Sequence, residues 1–558
     1  MQKSCTKCSA TFEITKDDLA FYDEVSPVVG GRKLSLPSPE ECPDCRCQNR
    51  LLFRNDLSLY HRKSDLTGKQ IVSMYAEDKP YKVYDQDEWW GDQWDECSYG
   101  RSFDFGRTFT EQFLELNRDV PHMSLFTTNV ENSYYTSHAL NAKNTYLVAG
   151  ATDIEDSLYG RFLISCKDVV DGLSLYSCQW CYECTASQDC YQCFFATYSH
   201  HCSDSLMIEN CQNCKHTCLC FGLQGQEYCF LNERVGKAEY ERRMEELLPL
   251  TSEKIDLLRG KLNDLKIDLP HRAQYVFSSE ESSGDMVFNS KNCRSCFDCS
   301  KCEDCAFVSN TPNGFRSQDC NYTAPEGVRF CYNVGSSVGI ERGIATFISW
   351  YGNDTYYSRE CHHCSDIFGC SSMKRKKYCI LNKQYTKEEY ESLVPKIVEH
   401  MRKTGEWGSY LHPSLSTMAY NETLAQDYYP LSREEVLRRG WKWHEEDEKK
   451  DAYMGPDIDL PLTIDEAHDD LCSQILRCAV TGKPYKIIPQ ELAFYRKMKL
   501  PIPRKCPEQR HTERLALRNP RKLWSRTCGK CKKKIDTTYA PERPEIVYCE
   551  TCYLATVY

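Results

Sequence analysis

No stretch of this sequence approaches the roughly 18 consecutive apolar residues that a membrane span needs, and the opening Met1 to Cys5 carries no apolar signal core. We therefore expect a cytoplasmic protein with no membrane partner. Without an export signal, disulfides are a poor use for its thiols. Nucleotide and zincin chemistry are also missing. Thr67-Gly-Lys69 and Thr481-Gly-Lys483 lack the upstream glycine of a phosphate loop, and His444-Glu445 begins a zincin motif that Glu448 breaks. No nucleophile–base pair stands out, so the expectation leans away from an enzyme. What the chain has in excess is cysteine, 36 in 558 residues.

Some of that cysteine has metal spacing. Cys528-Gly-Lys-Cys531 and Cys549-Glu-Thr-Cys552 are two C-x2-C knuckles with seventeen residues between them. Each knuckle supplies two sulfurs from one tight turn, and four thiolates suit a tetrahedral Zn2+. The same stretch recurs at the N-terminus. Cys42-Pro-Asp-Cys45, Arg46, Arg50 and Leu51-Leu-Phe-Arg-Asn55 match Cys506-Pro-Glu-Gln509, Arg510, Arg514 and Leu515-Ala-Leu-Arg-Asn519 at a constant offset of 464. Upstream, Leu19-Ala-Phe-Tyr22 matches Leu492-Ala-Phe-Tyr495, and the N-terminal copy carries nine extra residues around Val25 to Lys33.

Each copy thus holds two metal modules in series. Cys5, Cys8, Cys42 and Cys45 are complete, in a treble-clef arrangement whose second pair opens a helix, where the helix dipole favours thiolates. The module after it has Ser64, Thr67, Asp85 and Glu88 at the knuckle positions. In the C-terminal copy, Thr481 and Gln509 halve the first module beside Cys478 and Cys506, and the second keeps Cys528, Cys531, Cys549 and Cys552. One closed, structural Zn2+ site is expected at each end, with two metal-free relics.

The middle is a second duplication. Cys211, Cys214, Cys220 and Cys229 recur as Cys361, Cys364, Cys370 and Cys379 at offset 150. Within each copy a shorter beat runs: Lys143-Asn-Thr-Tyr146, Glu155-Asp-Ser-Leu158 and Lys167-Asp-Val-Val170 start twelve residues apart, and Gln188-Asp-Cys-Tyr191 and Ser203-Asp-Ser-Leu206 continue it less regularly. Asp and Asn tolerate left-handed corners. A short repeat unable to bury its own face reads as a stacked β-solenoid. Cys178, Cys181, Cys184, Cys190, Cys193 and Cys293 to Cys305 are then inward-stacked small residues, or else a thiolate array for soft metals. The two four-cysteine sets ending the copies are candidate metal caps, with plain packing as the other reading.

The fold expected is multi-domain and mainly β with small α elements, double zinc modules flanking a duplicated cysteine-rich body with helical linkers. Boundaries fall at 1–56 (treble clef), 57–95 (degenerate ribbon), 96–234 (first solenoid-like copy), 235–285 (helical linker), 286–384 (second copy), 385–471 (helical and acidic linker, its acidic run Glu445 to Asp451), 472–523 (degenerate treble clef with a basic helix) and 524–558 (zinc ribbon).

Charge is segregated. Residues 496–534 hold fifteen Lys or Arg against two acids, so the remainder of a chain at -11 stands at -24. Arg510, Arg514, Arg518 and Arg521 can share a helical face, and Lys522, Lys530, Lys532, Lys533 and Lys534 border the intact ribbon. Such a patch either holds phosphates of nucleic acid or a ribonucleoprotein, which we favour, or docks on the acidic body of the same chain. A second functional class is a protein-interaction scaffold, with Trp89, Trp90 and Trp94 as a partner anchor or, more simply, as core.

Over nearly its whole length the chain resembles an uncharacterised cysteine-rich zinc-ribbon family of candidate-phylum bacteria. Cys42-Pro-Asp-Cys-Arg46, Tyr99-Gly-Arg-Ser-Phe-Asp-Phe105, Tyr378-Cys-Ile-Leu-Asn-Lys-Gln-Tyr385, Thr404-Gly-Glu-Trp407 and Pro541 to Tyr553 carry the resemblance. Members are sometimes labelled CoA-transferase-like, which the residues here do not support: strands and helices do not alternate regularly, and no acyl-transfer constellation is present.

Overall fold

The computed structural model describes residues 1–162, 170, 172, 190–445 and 455–557. Cys178, Cys181, Cys184, parts of the beats at 167–170 and 188–191, and nearly all of the acidic run 445–451 lie outside the described residues. The fold is mixed: twelve α-helices accompany the strands among the described residues, one sheet of which is large and parallel. The chain divides into two compact units, each built from two segments. One comprises 1–127 and 276–444, the other 128–275 and 445–558. Each unit therefore joins a terminal double module to the central copy that lies farther from it in sequence.

In the first unit, the parallel strands pair at a spacing set by the chain itself. Phe297 lies beside Ser309, Phe347 beside Arg359, Arg359 beside Ser371 and Ser365 beside Lys377, twelve residues apart each time. Between Gln318 and Tyr332 the step is fourteen, taken up by the turn at Ala324 to Gly327. Every third residue sits in the left-handed region, Asn289, Asn292, Ser295, Asp298, Lys301 and Asp304 in succession. Asn and Asp pay least there, which is why the beat reads Asp/Asn.

The step of three also points every third side chain inward. Cys293, Cys296, Cys299, Cys302 and Cys305 are all buried. Their thiols donate to the carbonyl two residues back and, in the middle of the run, to the one nine ahead: Cys299 to Phe297 (3.1 Å) and Val308 (3.6 Å), Cys302 to Ser300 (3.6 Å) and Thr311 (3.1 Å). The hydroxyl of Thr346 bonds Ile344 and Thr355 in the same way. This interior takes small side chains with a weak donor, and cysteine fits both demands.

The N-terminal module docks on these coils through the helix Pro43–Leu51. Arg46 and Arg50 meet the fully buried Asp319 at 2.9 and 3.0 Å, Arg50 also reaches Asn321 and Asn333, and Arg54 reaches Ser336 at 3.0 Å. The helix Phe109–Asp119 and the strand His122–Met123, which pairs with Val83–Tyr84, complete that side.

The second unit repeats the scheme. Ser137 pairs with Ala149, Tyr191 with Ser203, and Lys215 with Glu227, again twelve apart. Outside, side-chain ladders climb the corners from Asn129 to Asn141 to Asp153 and from Asn132 to Asn144 to Asp156. The helix Ser252–Ile267 and the strand His271–Arg272, paired with Val547–Tyr548, stand where Phe109–Asp119 and His122–Met123 stand in the first unit.

Asp319 is the only countercharge shared by Arg46 and Arg50 within the buried contact described above. Asp319→Asn is predicted to cost about 3–5 kcal/mol, the cost of stranding buried charge, whereas Ser336→Ala costs about 1 kcal/mol. The midpoint of urea unfolding checks both.

Candidate metal centres and the surfaces around them

The first centre is assembled by a hairpin and a helix start. Strands Gln2–Ser4 and Thr11–Glu13 pair, and the turn between them places Cys5 and Cys8, with Ser9 in the left-handed region. Cys42 is the N-cap of Pro43–Leu51, and Cys45 lies in its first turn. The four sulfurs of Cys5, Cys8, Cys42 and Cys45 all lie within 4.8 Å of one another, Cys8 and Cys42 at 3.6 Å. The second centre has the same construction. Strands Trp524–Thr527 and Lys534–Thr537 present Cys528 and Cys531, with Lys532 left-handed, and Cys549 and Cys552 flank the start of Glu550–Val557. Cys531 and Cys549 are 3.8 Å apart.

These spacings fit one metal ion. Sulfurs about 2.3 Å from a tetrahedral metal stand about 3.8 Å apart. Backbone amides already face the sulfurs: Cys42 N–H donates to Cys5 (3.2 Å) and Cys549 N–H to Cys528 (3.3 Å). The Cys45 thiol beside it brings Cys42 down to about 5. Burial alone would raise Cys528, but the amides of Cys549, Cys531 and Lys530 more than offset it and leave it at about 6. In each centre one thiol is thus lowered. In the first, burial raises Cys8 and the neighbouring cysteines raise Cys45; in the second, the neighbouring cysteines raise Cys552. One thiolate therefore forms readily in each centre, and the raised thiols need the charge of a metal.

The two altered modules keep the turns, the first without any of the four sulfurs and the second with two of them, Cys478 and Cys506. Gly68 and Gly482 hold the left-handed knuckle position (φ +78° and +70°), which explains the glycine of the two phosphate-loop fragments. In the first, the Ser64 and Thr67 hydroxyls both donate to Glu88, which also accepts from the Asp85 amide at 3.1 Å. A carboxylate thus ties together the positions that carry sulfurs in the intact centres. Burial would raise the Glu88 carboxyl, and these donors hold it below the usual range. In the second, Thr481 lies 3.8 Å from Cys506, and Gln509 is spent on Glu513 at 3.0 Å. Burial pushes Cys478 up, but the Thr481 hydroxyl and the Cys506 amide bring it to about 7.

The central sets are not drawn together as the terminal ones are. Among the described residues only the two terminal groups gather. Cys211 donates to Glu209 (3.5 Å) and Cys220 (3.6 Å) carbonyls, Cys361 to Arg359 (3.3 Å) and Cys370 (3.4 Å) carbonyls. Cys214, Cys220, Cys229, Cys364, Cys370 and Cys379 bond carbonyls in the same fashion. They stack along the coils instead of surrounding a point. The C-x2-C spacing here is the three-residue step of the coil.

The arginine face also needs correction. Arg510, Arg514 and Arg518 are buried. Arg510 meets the fully buried Glu491 at 3.2 Å and the Tyr495 hydroxyl at 3.0 Å, with its guanidinium 4.9 Å from the Tyr159 ring. Glu491 lies in the helix Pro489–Met498 of the same module and also accepts from the Tyr159 hydroxyl at 2.7 Å, so Arg510 and Glu491 together hold the module against its own unit. Arg521 is half-buried, while Lys522, Lys530, Lys532, Lys533 and Lys534 are exposed. Of the tryptophans, Trp89 serves the core: it is fully buried and bonds the Pro121 carbonyl (3.1 Å), while Trp90 and Trp94 are half-buried against it, Trp94 bonding the Trp89 carbonyl (2.8 Å).

Sequence reasoning passed over Glu491 and its counterpart Asp18, which pairs with Arg294. Both immediately precede the repeated Leu-Ala-Phe-Tyr, so the signal was present. It also passed over a buried cluster in which Glu360 binds Arg359, His122 (2.9 Å) and the Tyr75 hydroxyl (3.1 Å). No spacing announces that cluster. No family model matches the chain, and no curated protein matches it.

Glu88→Ala strands two hydroxyls and is predicted to lower unfolding free energy by about 1–2 kcal/mol. That loss is the same with and without a chelator in urea titrations, because no metal takes part.

Proposed function

We propose that the chain is a non-enzymatic, zinc-stapled scaffold that contacts nucleic acid or a ribonucleoprotein through its C-terminal ribbon. The twelve-residue coils form its solenoid body, and a cytoplasmic location suits its free thiols. Zinc is the metal that closed four-cysteine sites of this geometry favour, and a closed shell leaves no position for catalysis.

One observation carries the nucleic-acid reading. Lys522, Lys530, Lys532, Lys533 and Lys534 are exposed around the second centre, and among the described residues no carboxylate lies within ion-pair distance of them. The stretch 522–534 contains no acidic residue. Lys522 lies 5.5 Å from the half-buried Trp524 ring, a surface on which a base can stack. The buried arginines narrow the contact to the ribbon. The alternative partner, another protein, has less support, since Trp89 is spent in the core and Trp90 and Trp94 are half-buried against it.

Binding of single-stranded RNA and duplex DNA, followed by fluorescence anisotropy from about 50 to 200 mM salt, tests this. Changing Lys530, Lys532, Lys533 and Lys534 together to alanine is predicted to flatten the logarithmic salt slope by about three to four. Absence of binding at low salt, or an unchanged slope, overturns the reading.

A further inference from the structure

A cavity of about 490 Å3 in the first unit is lined on one side by a ladder of coil corners. Phe330, Arg342, Asp354, Asp366 and Tyr378 follow at intervals of twelve, all in the left-handed region. The opposite wall is Val25 to Val29, part of the nine residues that the N-terminal module has and the C-terminal module lacks. They form a hairpin, Val28–Val29 with Arg32–Lys33. Its Gly30 (φ +57°) lies so close to the helix Lys387–Lys403 that a Cβ would meet Glu391 at 3.1 Å. The helix adds Tyr390 and Glu391. An insertion found in one copy of the module thus closes a cavity on the unit it docks to.

The cavity is acidic and aromatic. Glu24, Asp354, Asp366 and Glu391 line it against one cation, Arg342, which is fully engaged. Arg342 makes a two-pronged pair with Asp354 at 2.7 Å on each side and also bonds Glu341 and Asn353. Glu24 has Arg316 at 2.6 Å and Glu391 has Lys387 at 3.8 Å, both outside the lining set. Among the described residues, Asp366 has one cation, the exposed Lys377 at 3.5 Å, whose ammonium also lies 4.9 Å from one face of the Tyr378 ring, together with a hydrogen bond from Ser365. Burial, then the neighbouring Asp354, raises its carboxyl above the usual range, so its charge is under-compensated. A second observation is independent of this charge. Tyr390 is 2 % exposed, its hydroxyl has no hydrogen-bond partner among the described residues, and Asp366 and Asp354 are among its electrostatic neighbours.

The other central copy shows what belongs there. At offset 150, Tyr378 and Tyr390 correspond to Tyr228 and Tyr240, and Asp366 to His216. The imidazole of His216 stacks on Tyr228 at 4.9 Å and 17° and lies 6.1 Å from Tyr240. In the first unit the shorter Asp366 withdraws that planar group and leaves a carboxylate beside the same pair of tyrosines. The next step of the ladder already pairs a guanidinium with a carboxylate, in Arg342 and Asp354.

We propose that this cavity binds a guanidinium group, paired with Asp366, stacked on Tyr378 and reached by the Tyr390 hydroxyl. The group belongs either to a small free guanidine or to an arginine side chain of a peptide. The site is separate from the lysine ribbon, which lies in the other unit, and stands or falls independently of the nucleic-acid reading.

Isothermal titration calorimetry of the full chain with agmatine, and with a capped Gly-Arg-Gly peptide, tests it. Saturable one-to-one binding of either supports the proposal, and the tighter of the two names the source. A ureido analogue of agmatine, equal in shape but uncharged, is predicted to bind at least about tenfold more weakly, as is Asp366→Asn with agmatine. Asp366→His reproduces the residue of the other copy; it is expected to keep the thermal midpoint of unfolding and to abolish binding. Tyr390→Phe, which removes only the hydroxyl, weakens binding several-fold. No saturable binding of agmatine or peptide up to about 10 mM, equal binding of the ureido analogue, or undiminished binding by a folded Asp366→His variant overturns it.

Discussion

Buried arginine is the interaction on which the rest of the structure depends. Arg46 and Arg50 on one helix enter the body of their unit and find Asp319 there, and Arg510 on the matching helix binds Glu491 of its own module against the Tyr159 ring; neither carboxylate is exposed to solvent. Guanidinium suits this role because its planar donors can meet several acceptors at once and its charge never leaves. Taking either partner away leaves a charge in an apolar place. That demand fixes how each module lies against its coils. It also sets the direction in which the knuckles face, because Cys42 and Cys45 open the same helix that carries Arg46 and Arg50.

The matching segments differ from one another in two respects. Each double module kept a single tetracysteine cluster, the first at one end and the second at the other, and replaced the lost sulfurs differently. Glu88 took up two hydroxyls and a backbone amide, a polar substitute for a metal cross-link. Thr481 and Gln509 left Cys478 and Cys506 in place without completing a set. The central copies diverged at their outer corners, His216 in one and Asp366 in the other, while the inward positions stayed small. Change is tolerated where the coil faces outward and constrained where four side chains share a narrow interior.

Much of this was legible in the residues. The terminal knuckles could be read because metal chemistry demands their spacing, and the offsets of 464 and 150 identified both duplications. The beat of Asn144, Asp156 and Asp168 carried the twelve-residue interval that the strand register of Ser137 with Ala149 displays. Two patterns misled because different physics produces the same spacing. A coil that steps by three writes C-x2-C at Cys211 and Cys361, as a zinc knuckle does. Arginines four apart, as at Arg510 and Arg514, make one helical face whether it meets phosphate or a buried Glu491. Only the partner distinguishes these cases: Glu491, next to the repeated Leu-Ala-Phe-Tyr, was open to view, whereas a partner distant in sequence leaves no local mark. The Glu360 cluster was hidden for the same reason, since His122 lies 238 positions away.

The central claim is that metal belongs to the two ends and that the cysteine-rich middle is packed without it. Elemental analysis of the purified chain tests this most directly. The account predicts two zinc ions per chain, falling to one when Cys8 and Cys45 are changed together to serine and unchanged when Cys214 and Cys364 are. A content of four, or a loss of metal on changing Cys214 and Cys364, would contradict it.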